Sequence, residues 1–296
     1  MNKNILKIFS LLILAAAAAQ AAPTGAQFLK IDTDARLSGM ASAGAASALG
    51  VNALNYNPAG LSAMQGPEAA FSHSRWLMDS NHDFIGFGLP VKKFSLGMGI
   101  TRLSNGKMEG RAEDGSAAGG YSAYDQAVSL GFGYKGVGGA VKYIQSSIAG
   151  VRAETFAVDL GARRRLSGLP VTLGLGVQNL GRGMKYLSQR DNLPLSVNAG
   201  LTFAVLPGMG LALDVKRLVY DRQTVFSAGT EHTMLMGGAG FALRGGYGLS
   251  GLSGNGDKGG FSAGAGIMAL GAELDYAVAP ETGLGSVQRV TLKKAF

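Results

Sequence analysis

The feature that most restricts the fold is a strict alternation of large apolar with small or polar residues, repeated in stretches of about ten residues from position 68 onward. Phe156, Val158, Leu160 and Ala162 share one face, with Thr155, Ala157, Asp159, Gly161 and Arg163 on the other. The split recurs with Val171, Leu173, Leu175 and Val177 against Thr172, Gly174, Gly176 and Gln178, and with Leu274, Tyr276 and Val278 against Glu273, Asp275 and Ala277. A period of two belongs to β-strands with unlike faces. In a soluble sandwich the apolar face packs inward. In a transmembrane barrel it meets lipid and the polar face lines the lumen, because every backbone group must be paired and no edge left open. The alternation suits both.

The spacing of the strands separates them. Fourteen candidate strands cover 68–79, 82–91, 94–104, 124–135, 138–147, 154–166, 170–179, 194–206, 211–220, 225–235, 240–248, 261–269, 272–279 and 287–296. Connections after even-numbered strands are all short: 92–93, 136–137, 167–169, 207–209, 236–239 and 270–271. Every long one follows an odd-numbered strand: 105–121 and the few residues after it, 180–193, 249–260 and 280–286. A sandwich has no reason to sort its loops by parity, whereas outer-membrane barrels join strands by short periplasmic turns and longer external loops. The expected fold is therefore all-β: a transmembrane outer-membrane barrel of about 14 antiparallel strands over 68–296, its last strand ending in the periplasm. Phe296, preceded at alternate positions by Leu292 and Val290, resembles the signal read by the barrel assembly machinery; Lys294 falls on the lipid side of this strand.

Composition narrows the chemistry. Glycine supplies 47 of 296 residues, about twice its usual ~7% share. Because 47% of the residues are hydrophobic, these glycines belong to ordered structure rather than to a linker. Without cysteine there is no disulfide, thiol nucleophile or thiolate metal site, and three scattered histidines (His73, His82, His232) offer little to a metal or a His-based enzyme. No cofactor is expected. Lys3, Lys7, an apolar run over 8–19 and the small residues Ala19 and Ala21 read as a signal peptide over 1–21, and no later run is long and apolar enough for a membrane-spanning helix. The formal charge of +8 suits contact with outer-membrane lipids and anionic lipopolysaccharide rather than implying a nucleic-acid partner. Gly260-Phe261-Ser262-Ala263-Gly264 matches a nucleophile-elbow string, but it opens an alternating strand rather than a strand-to-helix turn. Three G-x-G-x-x-G strings, beginning at Gly131, Gly246 and Gly254, open no helix in a βαβ unit. A barrel hydrolase using His73 lacks a general-base constellation, and no enzyme is expected.

Lumen-face glycines, among them Gly86, Gly88, Gly97, Gly99, Gly131, Gly133, Gly174 and Gly176, leave room for a solute, for another piece of chain or simply for wall curvature. Charges of both signs are expected inward: Lys142, Asp159, Arg163, Asp214, Lys216, Glu231, Arg244, Glu273, Asp275 and Arg289. A mixed set suits pairing that fixes a plug or strand register better than it suits a selective ring. The segment 22–67 does not alternate; Asn57 before Pro58 is a natural helix start. Ahead of a glycine-lined wall it is expected to be a partly helical plug, with Phe28, Leu29, Tyr56, Asn57, Pro58, Ala59 and Gly60 as its site residues.

Several strings carry a resemblance over essentially the whole chain beyond position 21. They are Gln27-Phe28-Leu29-Lys30-Ile31 with Ala35-Arg36 and Gly39-Met40; Asn57-Pro58-Ala59-Gly60-Leu61; His73-Ser74-Arg75-Trp76; Asp159-Leu160-Gly161; Gly176-Val177-Gln178-Asn179-Leu180-Gly181; Ala242-Leu243-Arg244-Gly245-Gly246-Tyr247; and Leu274-Asp275-Tyr276-Ala277. With these the chain resembles the PorV/PorQ family of FadL-like outer-membrane barrels. The resemblance implies a 14-stranded plugged barrel, with Asn57, Pro58 and Ala59 in the hatch. It implies one of two roles: passage of a hydrophobic small molecule, or a type IX secretion component that binds secretion-system proteins and cargo. The external connections, all under twenty residues, are short for a cargo receptor. A structural or adhesive surface barrel is the alternative of a different class. Deleting Phe296 is expected to reduce outer-membrane assembly several-fold, scored as loss of the heat-modifiable band in membrane fractions; unchanged insertion would show that the terminal aromatic is not read.

Overall fold

The computed structural model describes residues 24–111, 114–250, 258–281 and 285–296; the expected signal peptide lies outside the described residues. Sixteen strands follow in chain order: β1 (Glu68–Arg75), β2 (Asn81–Val91), β3 (Phe94–Arg111), β4 (Ala117–Tyr134), β5 (Val137–Ile148), β6 (Val151–Arg165), β7 (Val171–Gly181), β8 (Met184–Tyr186), β9 (Gln189–Asp191), β10 (Ser196–Leu206), β11 (Met209–Leu218), β12 (Gln223–Met236), β13 (Ala239–Ser250), β14 (Lys258–Ala269), β15 (Ala272–Glu281) and β16 (Gly285–Ala295). Fourteen form one closed antiparallel barrel; β8 and β9 make a separate hairpin. β1 closes on β16, from Glu68 opposite Ala295 to Arg75 opposite Gln288. The fold class read from the alternation is the one observed.

Burial is inverted relative to a soluble domain. Phe71, Ile85, Leu96, Leu130, Phe156, Leu160, Leu243 and Leu292 are exposed on the outer face, while their neighbours Ser72, Ser129, Asp159 and Thr291 are buried inside. A continuous apolar outer belt on a closed barrel is a lipid-facing surface. Val290 and Leu292 lie on this outer face, and Phe296 is exposed beyond the end of β16. Lys294 lies beside the β14–β15 turn, where its Nζ donates to the Leu270 carbonyl at 2.5 Å. Two-residue turns such as Lys135-Gly136 and Leu270-Gly271 place both residues at positive φ, the mirror-image turn whose twist matches that of the flanking strands.

The connections depart from expectation in three places. Most of 105–121 is strand, because β3 and β4 run on as a two-stranded arm to Arg111 and from Ala117, with bulges between Ser104 and Lys107 and between Glu109 and Arg111. Beyond the lipid belt both faces of a strand meet water, so the alternation that marks strands elsewhere is lost. Within 180–193, the chain finishes β7 and then folds the β8–β9 hairpin. Residues 77–79 form a 3-10 turn instead of ending β1.

The described residues before β1, 24–67, lie inside the barrel. They hold a single-turn helix α1 (Ala35–Ser38) and 3-10 turns at Gln27–Lys30, Gly50–Asn55 and Pro58–Ala63. Asn57 caps the last of these, its side chain accepting from Ala59 N with Pro58 in the first turn. The wall makes space for this segment with glycine. Cβ atoms added at Gly88, Gly97, Gly131, Gly133 and Gly174 would press on Met64, Leu61, Leu54, Ser62 and Ala45 respectively, and one at Gly86 on both Val51 and Phe84 of the wall, whereas Gly99 faces Phe84 and Gly176 faces Asn198, both of the wall. Of the readings open for these glycines, close approach of another piece of chain is the one realised at six of the eight. Gly174→Leu, whose Cβ would strike the Ala45 carbonyl, is expected to destabilise the folded barrel by about 1–3 kcal/mol. Gly245→Ala, whose Cβ would meet only Thr230 Cγ2 at 4.0 Å, should be neutral; heat-modifiable gel mobility against temperature compares the two.

Candidate functional site

An irregular chain inside a barrel carries backbone donors and acceptors that neither helix nor sheet satisfies, and in a water-poor lumen each must find a partner. The inward residues of the strands provide them. Asp214 accepts from Ala45 N at 2.6 Å, Glu68 from Val51 N at 2.9 Å and Thr291 from Ala35 N at 2.8 Å. Arg163 donates to the Ala46 carbonyl at 2.8 Å, Gln178 to that of Asn55 at 2.8 Å and Asn198 to that of Tyr56 at 3.2 Å. Ser262, the residue of the nucleophile-elbow string, accepts from Ala41 N at 2.9 Å and donates to the Gly39 carbonyl at 3.2 Å. Its hydroxyl is engaged in holding chain.

The residues expected to belong to the hatch are placed among these contacts. The Asn57 amide points at the carbonyl oxygens of Ala45, Leu175 and Ala162, at 2.6, 3.2 and 3.3 Å, while its own oxygen accepts from Ala59 N. Pro58, Ala59 and Gly60 are buried against β4, β5 and β6. Phe28 is buried with Ile144, Met184 and Leu193, and Leu29 packs partly buried against that cluster. Val51, Leu54 and Leu61 pack on Phe84, an apolar side chain turned inward from β2. Tyr56 accepts from Thr33 N at 3.1 Å and donates to Asp32 at 3.2 Å; burial, and then the charge of Asp32, push its phenol well above the ordinary range, so it stays protonated.

All ten of the charged residues singled out in the sequence lie inside the wall. On β12–β16 they form a network: Arg244 reaches Glu231 at 2.6 Å, Glu273 at 3.2 Å and Asp275 at 2.5 Å, and Lys293 reaches Glu273 at 2.6 Å. Arg36 of α1 joins it, gripping both oxygens of Glu231 at 2.8 and 2.9 Å. A forked contact of this kind fixes orientation as well as distance. Across the lumen Lys142 pairs with Asp159 at 2.7 Å and donates to Asn179 at 3.0 Å, beside a bulge where β6 and β7 change register. Lys216 stands inside on β11, and Arg289 donates to Ser38 at 2.8 Å. Arg36, Asp32 and Lys293 were not singled out as charged site residues, although Arg36 stands in one of the strings that carry the resemblance.

Two cavities flank the internal segment and share no lining residue. One, of about 310 Å³, lies toward the rim of longer connections, among Asp32, Ser42, Trp76, Val225 and Arg289. The other, of about 360 Å³, lies toward the short-turn rim, among Arg36, Leu49, Arg163, Phe203 and Glu231.

This geometry defines a class: a closed lipid-facing barrel holding its own N-terminal segment in the lumen. No protein-family model and no curated protein matches the sequence. Solved structures do match. The Ralstonia pickettii toluene transporter TbuX aligns with a TM-score of 0.67 at 13% identity, over 90% of this chain and 99% of that one. The P. putida toluene transporter TodX aligns at 0.65 and 13%, over 90% and 99%. A Pseudomonas aeruginosa FadL homologue aligns at 0.63 and 10%, over 94% and 100%. The chain thus has the FadL-like barrel fold.

Arg244→Met would leave Glu231, Glu273 and Asp275 facing one another with their shared guanidinium gone. It is expected to cost about 3–5 kcal/mol. Arg36→Met, which removes a partly exposed partner, should cost less; thermal unfolding in detergent ranks the two, and equal losses would show that the network does not centre on Arg244.

Proposed function

We propose that this chain is a non-catalytic outer-membrane passage for hydrophobic small molecules, closed at rest by the segment 22–67 acting as a plug. The observation that carries the reading is the way the lumen is filled: a chain segment held by side-chain hydrogen bonds and one forked ion pair, with a separate cavity on either side. Such contacts are individually weak, on the order of 1 kcal/mol each for neutral pairs, and can be exchanged without unfolding the wall. The solved structures of this fold include proteins described as toluene transporters and a monoaromatic hydrocarbon channel. The lipid-facing belt gives any apolar solute a favourable destination on leaving the lumen.

In this reading the rim of longer connections faces outward and the short-turn rim faces the periplasm, after Sec export and insertion by the barrel assembly machinery. Lipopolysaccharide and outer-membrane phospholipids are the surrounding partners. The PorV/PorQ assignment remains part of the proposal. Its secretion role finds no favouring observation: among the described residues the long connections are strand extensions and a three-residue-per-strand hairpin, not a cargo-sized platform.

Cells expressing the protein are expected to take up toluene several-fold faster than vector controls, and equal uptake would overturn the passage. Removing 22–67 should raise ion conductance in planar bilayers; an unchanged closed state would remove the plug.

A further inference from the structure

The outer cavity contains a charge that the fold itself leaves uncompensated. Arg289 on β16 is 2% exposed. Its Nη1 donates to Ser38 Oγ at 2.8 Å, its Nη2 has a long contact to Ser74 Oγ at 3.4 Å, and its Nε has no partner. Among the described residues no carboxylate pairs with it, in contrast to Arg244, which has three. Burying a guanidinium on hydroxyls alone is costly, and an anion supplied from outside would offset that cost. The Nε–Nη2 edge, the one least engaged, is the edge that meets a carboxylate with two parallel hydrogen bonds.

The rest of the cavity limits which anion fits. Asp32 lines it too, held by Ser42 Oγ at 2.5 Å and Tyr56 OH at 3.2 Å, with no cation at ion-pair distance among the described residues. A second negative charge on the ligand would be repelled there. Lys30, the other cation of the lining, is neutralised by Asp221 at 2.8 Å. Trp76, Ile31, Val225 and Val287 add apolar surface, and a volume of about 310 Å³ is at the small end for ligand pockets. We propose that this cavity binds a small aromatic monocarboxylate, its carboxylate on Arg289 and its ring against the apolar wall. The inference deepens the passage reading and rests on it for any role in transport, but not for binding.

Trp76 is the only tryptophan of the chain, so its emission reports occupancy of this cavity. Benzoate titrated into the detergent-solubilised full chain is expected to change Trp76 emission saturably, and more tightly than either toluene, which lacks the charge, or phthalate, which carries two. Arg289→Met should weaken benzoate at least tenfold, and Asp32→Asn should tighten it several-fold. Should Arg289→Met fail to fold, Arg289→Lys, which keeps the charge and loses the fork, should still weaken benzoate several-fold in a barrel that remains heat-modifiable. Benzoate binding that is absent, is matched by toluene, or is unchanged by loss of the Arg289 fork would overturn the site. Intact benzoate binding without toluene uptake would overturn the hydrocarbon passage and leave the site standing.

Discussion

Everything in this molecule follows from the cost of an unpaired backbone group where water is scarce. The wall solves the problem by closing on itself, β1 against β16, so that no strand edge faces lipid. The segment inside cannot solve it that way, since its turns are short and irregular. Its donors and acceptors are met instead by inward side chains, Asp214, Thr291, Glu68, Gln178, Asn198 and Arg163 among them. The inner face is polar because it serves as the second hydrogen-bonding surface for a chain with no sheet of its own.

The same face must also be thin. Wall and segment backbones approach closely where both are built from small residues: glycine at 133, 138 and 174 on one side, serine, proline and alanine on the other. A glycine-rich strand is entropically costly and packs poorly in isolation. Here the missing side chain on the wall is replaced by chain from the segment, so packing is recovered across the lumen rather than along the sheet.

The alternation revealed the strands, their two faces and the sorting of loops, since lipid on one side and a polar lumen on the other impose period two across the membrane. It failed where that contrast ends. The arm formed by β3 and β4 has water on both faces, and residues 105–111 consequently read as loop. Phe84 lies on the polar side because it packs on Val51 and Leu54, a contact no local pattern encodes. Inward charges were legible one by one, but their partners were not: Arg36 meets Glu231 across 195 residues, a pairing set by closure alone. The forked grip on the segment and the uncompensated Arg289 became visible only once all strands were in register.

The closing strand has a topological consequence. β16 contributes Arg289 and Thr291, which bond Ser38 and the backbone of Ala35, residues some 250 positions earlier. The segment that precedes β1 is therefore fastened by the strand that closes the barrel on β1. Closing the wall and fastening its occupant use the same strand, and contacts of such sequence separation carry the largest loop-closure cost in the chain. A chain in which β16 has not paired would lack the two contacts, from Arg289 and Thr291, that fasten the α1 end of its interior.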